Sequence, residues 1–148
     1  MRVLISGFDP FGGFNLNPTS LLVSALEKRE IPYPPSLRVE QILLPVTFRE
    51  SFNNLQEKIR EWNPDVVIAL GQAAHREAIE IESVAVNRID TIVADNLGEA
   101  PQNQFINASG EPAYFSTLPI QGLYHALKSA GLPVNISNSG GNINRESC

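Results

Sequence analysis

Apolar and polar positions divide the 148-residue chain into short apolar runs separated by stretches of helical periodicity. Val3 to Ser6 reads as a buried strand. Asn17-Pro18 then opens a helix, because the Asn side chain can accept from a free N–H and Pro presets the first turn. Leu21, Leu22 and Ala25 are expected to form the inner face of that helix, and Pro32, Pro34 and Pro35 break it. Leu37 to Leu44 reads as a second strand. Thr47 and Glu50 have the spacing of a capping box. Phe48, Phe52, Leu55, Ile59 and Trp62 then recur at the period of a helix packing one face on a core. Asn63-Pro64-Asp65 ends it. Val66 to Leu70 is continuously apolar, as expected of a parallel strand covered on both faces.

Gly71 stops that strand, and Ala78 to Val86 alternates apolar positions with a phase break near Ser83, the mark of an extended or bulged segment. Residues 95–112 are rich in Asn, Gly and Pro and read as a long loop. Pro119 to Ala130 makes one more helix, stopped by Gly131, and Val134 to Ser137 one more strand. Strands alternating with helices predict an α/β class chain, a single-domain α/β/α sandwich around a mostly parallel sheet. Residues 1–141 are expected to form that domain, and 142–148 a divergent tail with little to pack.

Composition narrows the partners. A formal charge of -5 argues against a nucleic-acid surface, which needs clustered Lys and Arg to displace counterions. Cys148 is the single cysteine, so the chain has no internal disulfide and no Cys/His zinc spacing, in keeping with a reducing cytoplasm. No apolar run approaches a membrane span, and Asp9 and Pro10 follow the first run where a signal peptide needs more apolar length.

Ligands of open α/β sheets collect at the carboxyl ends of strands. Three segments leave strands there: Phe8 to Asn17, Gly71 to Arg76, and the tail after Ser137. The spacing of Gly7, Gly12 and Gly13 matches neither a dinucleotide loop nor a P-loop. Phe8, Phe11 and Phe14 put aromatic rings in one stiff turn, suited to a small flat ligand.

GFDPFGG followed by Asn17-Pro18 resembles the opening of the pyroglutamyl peptidase I family of cysteine peptidases. Gly71-Gln72-Ala73, Ile81-Glu82, Val84-Ala85-Val86-Asn87, Asp95-Asn96 and Ala113 to Ile120 (AYFSTLPI) agree with family signatures in the same order. The resemblance covers residues 1–141. It implies removal of N-terminal pyroglutamate from peptides by a Cys-His-Glu/Asp triad, without a cofactor or metal, in a cytoplasmic and commonly oligomeric enzyme; the charge and hydropathy above give no nucleic-acid or membrane partner. By resemblance Phe8 and Phe11 form the hydrophobic pocket, Phe14 and Asn17 border it, Gln72 lies near the substrate, and Glu82 is the triad carboxylate. Pyroglutamate is an uncharged lactam, so its recognition needs ring faces and two hydrogen bonds rather than an ion pair. For Asn17, helix capping and substrate contact are both open.

After Gly141 the sequence departs from the family pattern, Ser137 to Gly141 running into Asn142-Ile143-Asn144-Arg145. Counted without gaps, Arg145 takes the nucleophile's position, and a guanidinium stays protonated and cannot attack. Cys148 comes three residues later with no following helix to lower its pKa. The family's catalytic histidine lies further along than this chain reaches; His75 reads as a loop residue and His125 as an ordinary helix residue. Ile92 stands where the family usually has arginine. The expectation is therefore a homologue truncated in its C-terminal part and inactive. The alternative is a non-catalytic module that binds pyroglutamyl peptides or serves interaction.

Overall fold

The computed structural model describes residues 1–11, 13, 15–73 and 76–138. Its contacts divide into two compact units, the first being Met1–Gln72 with Ala94–Glu99, and the second Ala73–Val93 with the described residues from Ala100 onward.

The first unit contains β1 (Arg2–Phe8), α1 (Pro18–Glu27), β2 (Arg38–Leu44), α2 (Glu50–Trp62) and β3 (Val66–Ala69). Its strands form a parallel sheet in the order β2-β1-β3, with Phe8 opposite Leu44 and Ser6 opposite Ala69. Side chains alternate faces along a strand, so burial of the consecutive residues Val3 and Leu4 means that β1 is covered on both sides. Val23 and Leu26 of α1 and Leu44 of β2 complete the buried apolar core.

The phase of α1 differs from expectation. Thr19, Val23 and Leu26 are its buried positions, whereas Leu21 and Leu22 are exposed. The helix is held close against β1 at Gly7: a Cβ there would lie 2.8 Å from both the Thr19 carbonyl oxygen and Val23 Cγ2. That approach turns the Thr19–Val23 stripe inward, a choice that side-chain polarity alone does not announce. α1 closes in a Schellman motif, Glu30 N–H donating to the Ala25 carbonyl and Arg29 N–H to that of Leu26, with Arg29 at φ 58°.

The start of α2 also differs. Its N-cap is Arg49, and Thr47 Oγ1 lies 3.5 Å from the Glu50 carboxylate, too far for an effective cap. The helix start has no side-chain cap; the segment before it is held instead by Ser51 Oγ donating to the Thr47 carbonyl and by Phe48 N–H donating to the Asp95 carboxylate at 2.9 Å. None of the residues of α2 is fully buried, and Phe52 is exposed.

The second unit contains β4 (Ile79–Glu82), β5 (Val84–Val86), β6 (Ala113–Phe115), α3 (Ile120–Ser129) and β7 (Val134–Ser137). β4 pairs with β7 in parallel and β5 with β6 antiparallel. Ser83, where the apolar alternation breaks phase, separates β4 from β5, and its N–H and Oγ both donate to the Ser137 carbonyl. α3 ends at Gly131, whose φ of 77° suits glycine and lets Leu132 N–H reach the Leu127 carbonyl. Parallel strands alternating with helices bear out the α/β class. No helix among the described residues is long and apolar enough to cross a membrane.

Candidate functional site

In a β2-β1-β3 sheet the chain leaves β1 toward one neighbour while the other neighbour is reached by a separate crossover. The carboxyl ends of β1 and β3 therefore flank a topological switch point, where open α/β sheets bind ligands. Phe8 is the last residue of β1, and Gln72 follows β3 by three positions. Both are half-buried, as is Phe11. The sequence expectation that these three belong to strand-end segments is thus met on adjacent strands of one unit. Phe14 lies outside the described residues.

Two buried side-chain oxygens among the described residues have no hydrogen-bond partner, Ser6 Oγ and Gln72 Oε1. They lie on the two strands that flank the switch point, Ser6 on β1 and Gln72 just beyond β3. An unpaired buried acceptor costs about 1–3 kcal/mol. Orphaned polar atoms of this kind call for a reason.

Asn17 is fully buried and its side chain is committed within the protein. Its Oδ1 accepts from Thr19 N–H at 3.0 Å and from Thr19 Oγ1 at 2.8 Å, while Nδ2 donates to the Asp9 carbonyl at 3.1 Å. The capping half of its two open roles is the one the geometry displays. Thr19 Oγ1 in turn accepts Phe8 N–H at 2.9 Å, and Asp9 N–H donates to the Leu44 carbonyl. Thr19 is inconspicuous in the sequence, because a threonine in a first helical turn looks like an ordinary polar residue. Its position immediately after Asn-Pro was the available signal.

Beside this strand end, still within the first unit, Asp95 fastens residues 94–99. Its carboxylate accepts from the N–H groups of Phe48, Leu97 and Glu99, and Asn96 N–H donates to the Val46 carbonyl. Desolvation acts to raise the Asp95 pKa, but bonds from the backbone N–H groups of Phe48, Glu99, Leu97 and Gly98 outweigh it and hold the pKa below 3.8.

In the second unit Glu82 ends β4, exposed, in register with Ser137 at the end of β7. His125 is exposed on α3, its ring edge-on to Tyr124 at 5.4 Å. Ile92 is exposed. A concavity lined by Arg76, Glu77, Glu80 and Asn135 lies at the amino ends of β4 and β7, the end opposite Glu82. His75, Arg145, Cys148 and the tail 142–148 lie outside the described residues. Among the described residues no group of three or more His, Cys, Asp or Glu could hold a metal ion.

Comparison with known proteins converges on one family. A family model described as pyroglutamyl peptidase matches residues 1–144. The pyrrolidone-carboxylate peptidase of Finegoldia magna is 41% identical over 144 residues, covering 95% of this chain and 64% of that protein. That of Thermosipho melanesiensis is 40% identical over 141 residues, covering 95% and 68%. Among solved structures, a mutant pyrrolidone carboxyl peptidase from P. furiosus matches with a TM-score of 0.89 at 39% identity, covering 95% of this chain and 66% of that one. The enzyme from Fervidobacterium islandicum matches with a TM-score of 0.89 at 32% identity and the same coverage. The chain thus spans 64% of the length of the Finegoldia relative.

Proposed function

The chain belongs to the pyroglutamyl peptidase family, and we propose that its first unit recognises the lactam ring of peptides that begin with pyroglutamate. The observation that carries this reading is the unpartnered Oε1 of Gln72 at the carboxyl end of β3, beside the strand that ends in Phe8. A lactam offers one N–H donor, one carbonyl acceptor and two apolar faces, and it carries no charged amine. Among the described residues no protein donor takes up Gln72 Oε1, so this acceptor is free to meet a lactam N–H. Phe8 and Phe11 supply apolar surface for the ring faces. Phe14 is assigned to the border of the pocket by family resemblance. Asn17 borders it through the backbone it holds, since its own side-chain oxygen is already occupied by Thr19.

Glu82 is proposed as the acidic member of the family's Cys-His-Glu set, whose role is to orient a histidine and stabilise its imidazolium form. Residues 1–148 contain His75 and His125 as their histidines and Cys148 as their cysteine. None of these stands at the family's nucleophile or base position, so the polypeptide of these residues by itself is proposed to bind and not to cleave. Binding without cleavage is also what the interaction-module reading requires; the single cysteine fits the reducing cytoplasm.

The test pairs calorimetry with a fluorogenic pyroglutamyl amide. The reading expects binding of a pyroglutamyl peptide, no binding of the same peptide beginning with glutamine, and no release of the fluorophore. Equal binding of both peptides would overturn lactam recognition. Turnover abolished by Cys148→Ser would overturn the assignment of non-cleavage.

A further inference from the structure

We propose that Thr19 is a positioning residue that opens the strand-end gap for the lactam, by taking the Phe8 N–H out of the β1–β3 ladder. The proposal rests on the lactam reading and deepens it. In a parallel ladder, hydrogen bonds run alternately from each strand to the other at regular intervals. Here Ser6 is opposite Ala69, and Leu70 N–H donates to the Ser6 carbonyl at 3.0 Å. The next bond in that series is from Phe8 N–H to the Leu70 carbonyl. That bond is not made among the described residues; Phe8 N–H goes instead to Thr19 Oγ1 at 2.9 Å.

On its other side β1 stays paired: Phe8 is in register with Leu44, and Asp9 N–H continues to the Leu44 carbonyl. The ladder is therefore cut on the β3 side alone, between the strand that delivers Phe8 and the one that leads to Gln72. Thr19 is suited to this because its hydroxyl is itself fixed. It is 8% exposed, its O–H is spent on Asn17 Oδ1 at 2.8 Å, and the same oxygen takes Thr19 N–H. With its proton so engaged, the hydroxyl presents only lone pairs to the Phe8 amide. Asn17 Nδ2 holds the Asp9 carbonyl from the same helix end, so both residues at the exit of β1 are tied to α1.

The experiment uses the isotope-labelled chain, amide hydrogen exchange, trans-hydrogen-bond couplings and titration with L-pyroglutamate. Thr19→Val removes the hydroxyl at nearly constant shape. It is expected to speed exchange at Phe8 or transfer its bond to Leu70, leave Val3 to Ser6 protected, and weaken pyroglutamate binding by about ten-fold per folded molecule, the scale of one hydrogen bond. Thr19→Ser is expected to restore both readouts. A role confined to stability would lower the melting temperature and leave the affinity of the folded fraction unchanged, and that result overturns the proposal. A Phe8-to-Leu70 coupling in the unsubstituted chain overturns it without any variant. If the unsubstituted chain binds no pyroglutamate, the lactam reading and the ligand half of this proposal both fall, while the Phe8 amide still decides whether Thr19 ends the ladder.

Discussion

Replacing Gly7 by alanine tests the contact that sets the helix against the site strand. A Cβ at this position would stand 2.8 Å from the Thr19 carbonyl oxygen, 2.8 Å from Val23 Cγ2 and 3.1 Å from the Thr19 carbonyl carbon, about 0.6 Å inside ordinary contact. Neither neighbour yields easily. The carbonyl is helix backbone, and a β-branched valine in a helix has one strongly preferred rotamer. The helix must therefore retreat from β1 by about half an ångström, which stretches the 2.9 Å bond between Phe8 N–H and Thr19 Oγ1 to its limit. Overpacking costs about 1–3 kcal/mol and loss of the bond about 1 kcal/mol, against about 0.5–1 kcal/mol regained because alanine restricts the unfolded chain more than glycine. The net expectation is a loss of about 2 kcal/mol, or roughly 4–8 °C in melting temperature for a chain of this size. Urea unfolding followed through Trp62, the single tryptophan and a residue of the same unit, measures it directly. A Gly7→Ala chain within about 0.5 kcal/mol of the parent would refute the reasoning, because substitutions with no special mechanism stay within that range.

Two further outcomes follow from local geometry. Arg29 occupies the left-handed position that ends α1, so Arg29→Gly is expected to stabilise the chain by about 0.5–1 kcal/mol, and a lower urea midpoint would contradict the strain argument. Asp95 has a folded pKa below its ordinary value, so its stabilising effect is fully present above the unfolded pKa and is lost as pH falls through the folded one. Asp95→Asn should accordingly lower the melting temperature most above about pH 5 and converge on the parent in stronger acid, whereas a gap that widens with acidity would reverse the assigned sign.

What the sequence disclosed was chiefly local. Val134 to Ser137 is read correctly because a run of strand formers lies just beyond a helix stop, and the break at Ser83 is legible because alternation has period two. Non-local choices are not visible in the same way. β6 pairs with β5 across a long intervening loop, so Ala113–Phe115 stands out only as a family signature. The inward face of α1 depends on Gly7 eleven residues before the helix begins, and the α2 start depends on Asp95 from another segment. The same holds for the site. Phe8, Phe11 and Gln72 were identifiable by position after apolar runs, but the diversion of the Phe8 amide to Thr19 requires knowing that β1 is flanked by β3 on the side where the ladder stops.

The central claim is that the carboxyl ends of β1 and β3 receive the lactam. An amide-resolved NMR titration of the chain with L-pyroglutamate tests it most directly. The account predicts saturable shifts at Phe8, Asp9, Phe11, Gly71 and Gln72, abolished by Gln72→Leu in a chain that remains folded. Saturable shifts confined to Arg76, Glu80 and Asn135 at the amino ends of β4 and β7, or none anywhere at saturating ligand, would contradict it.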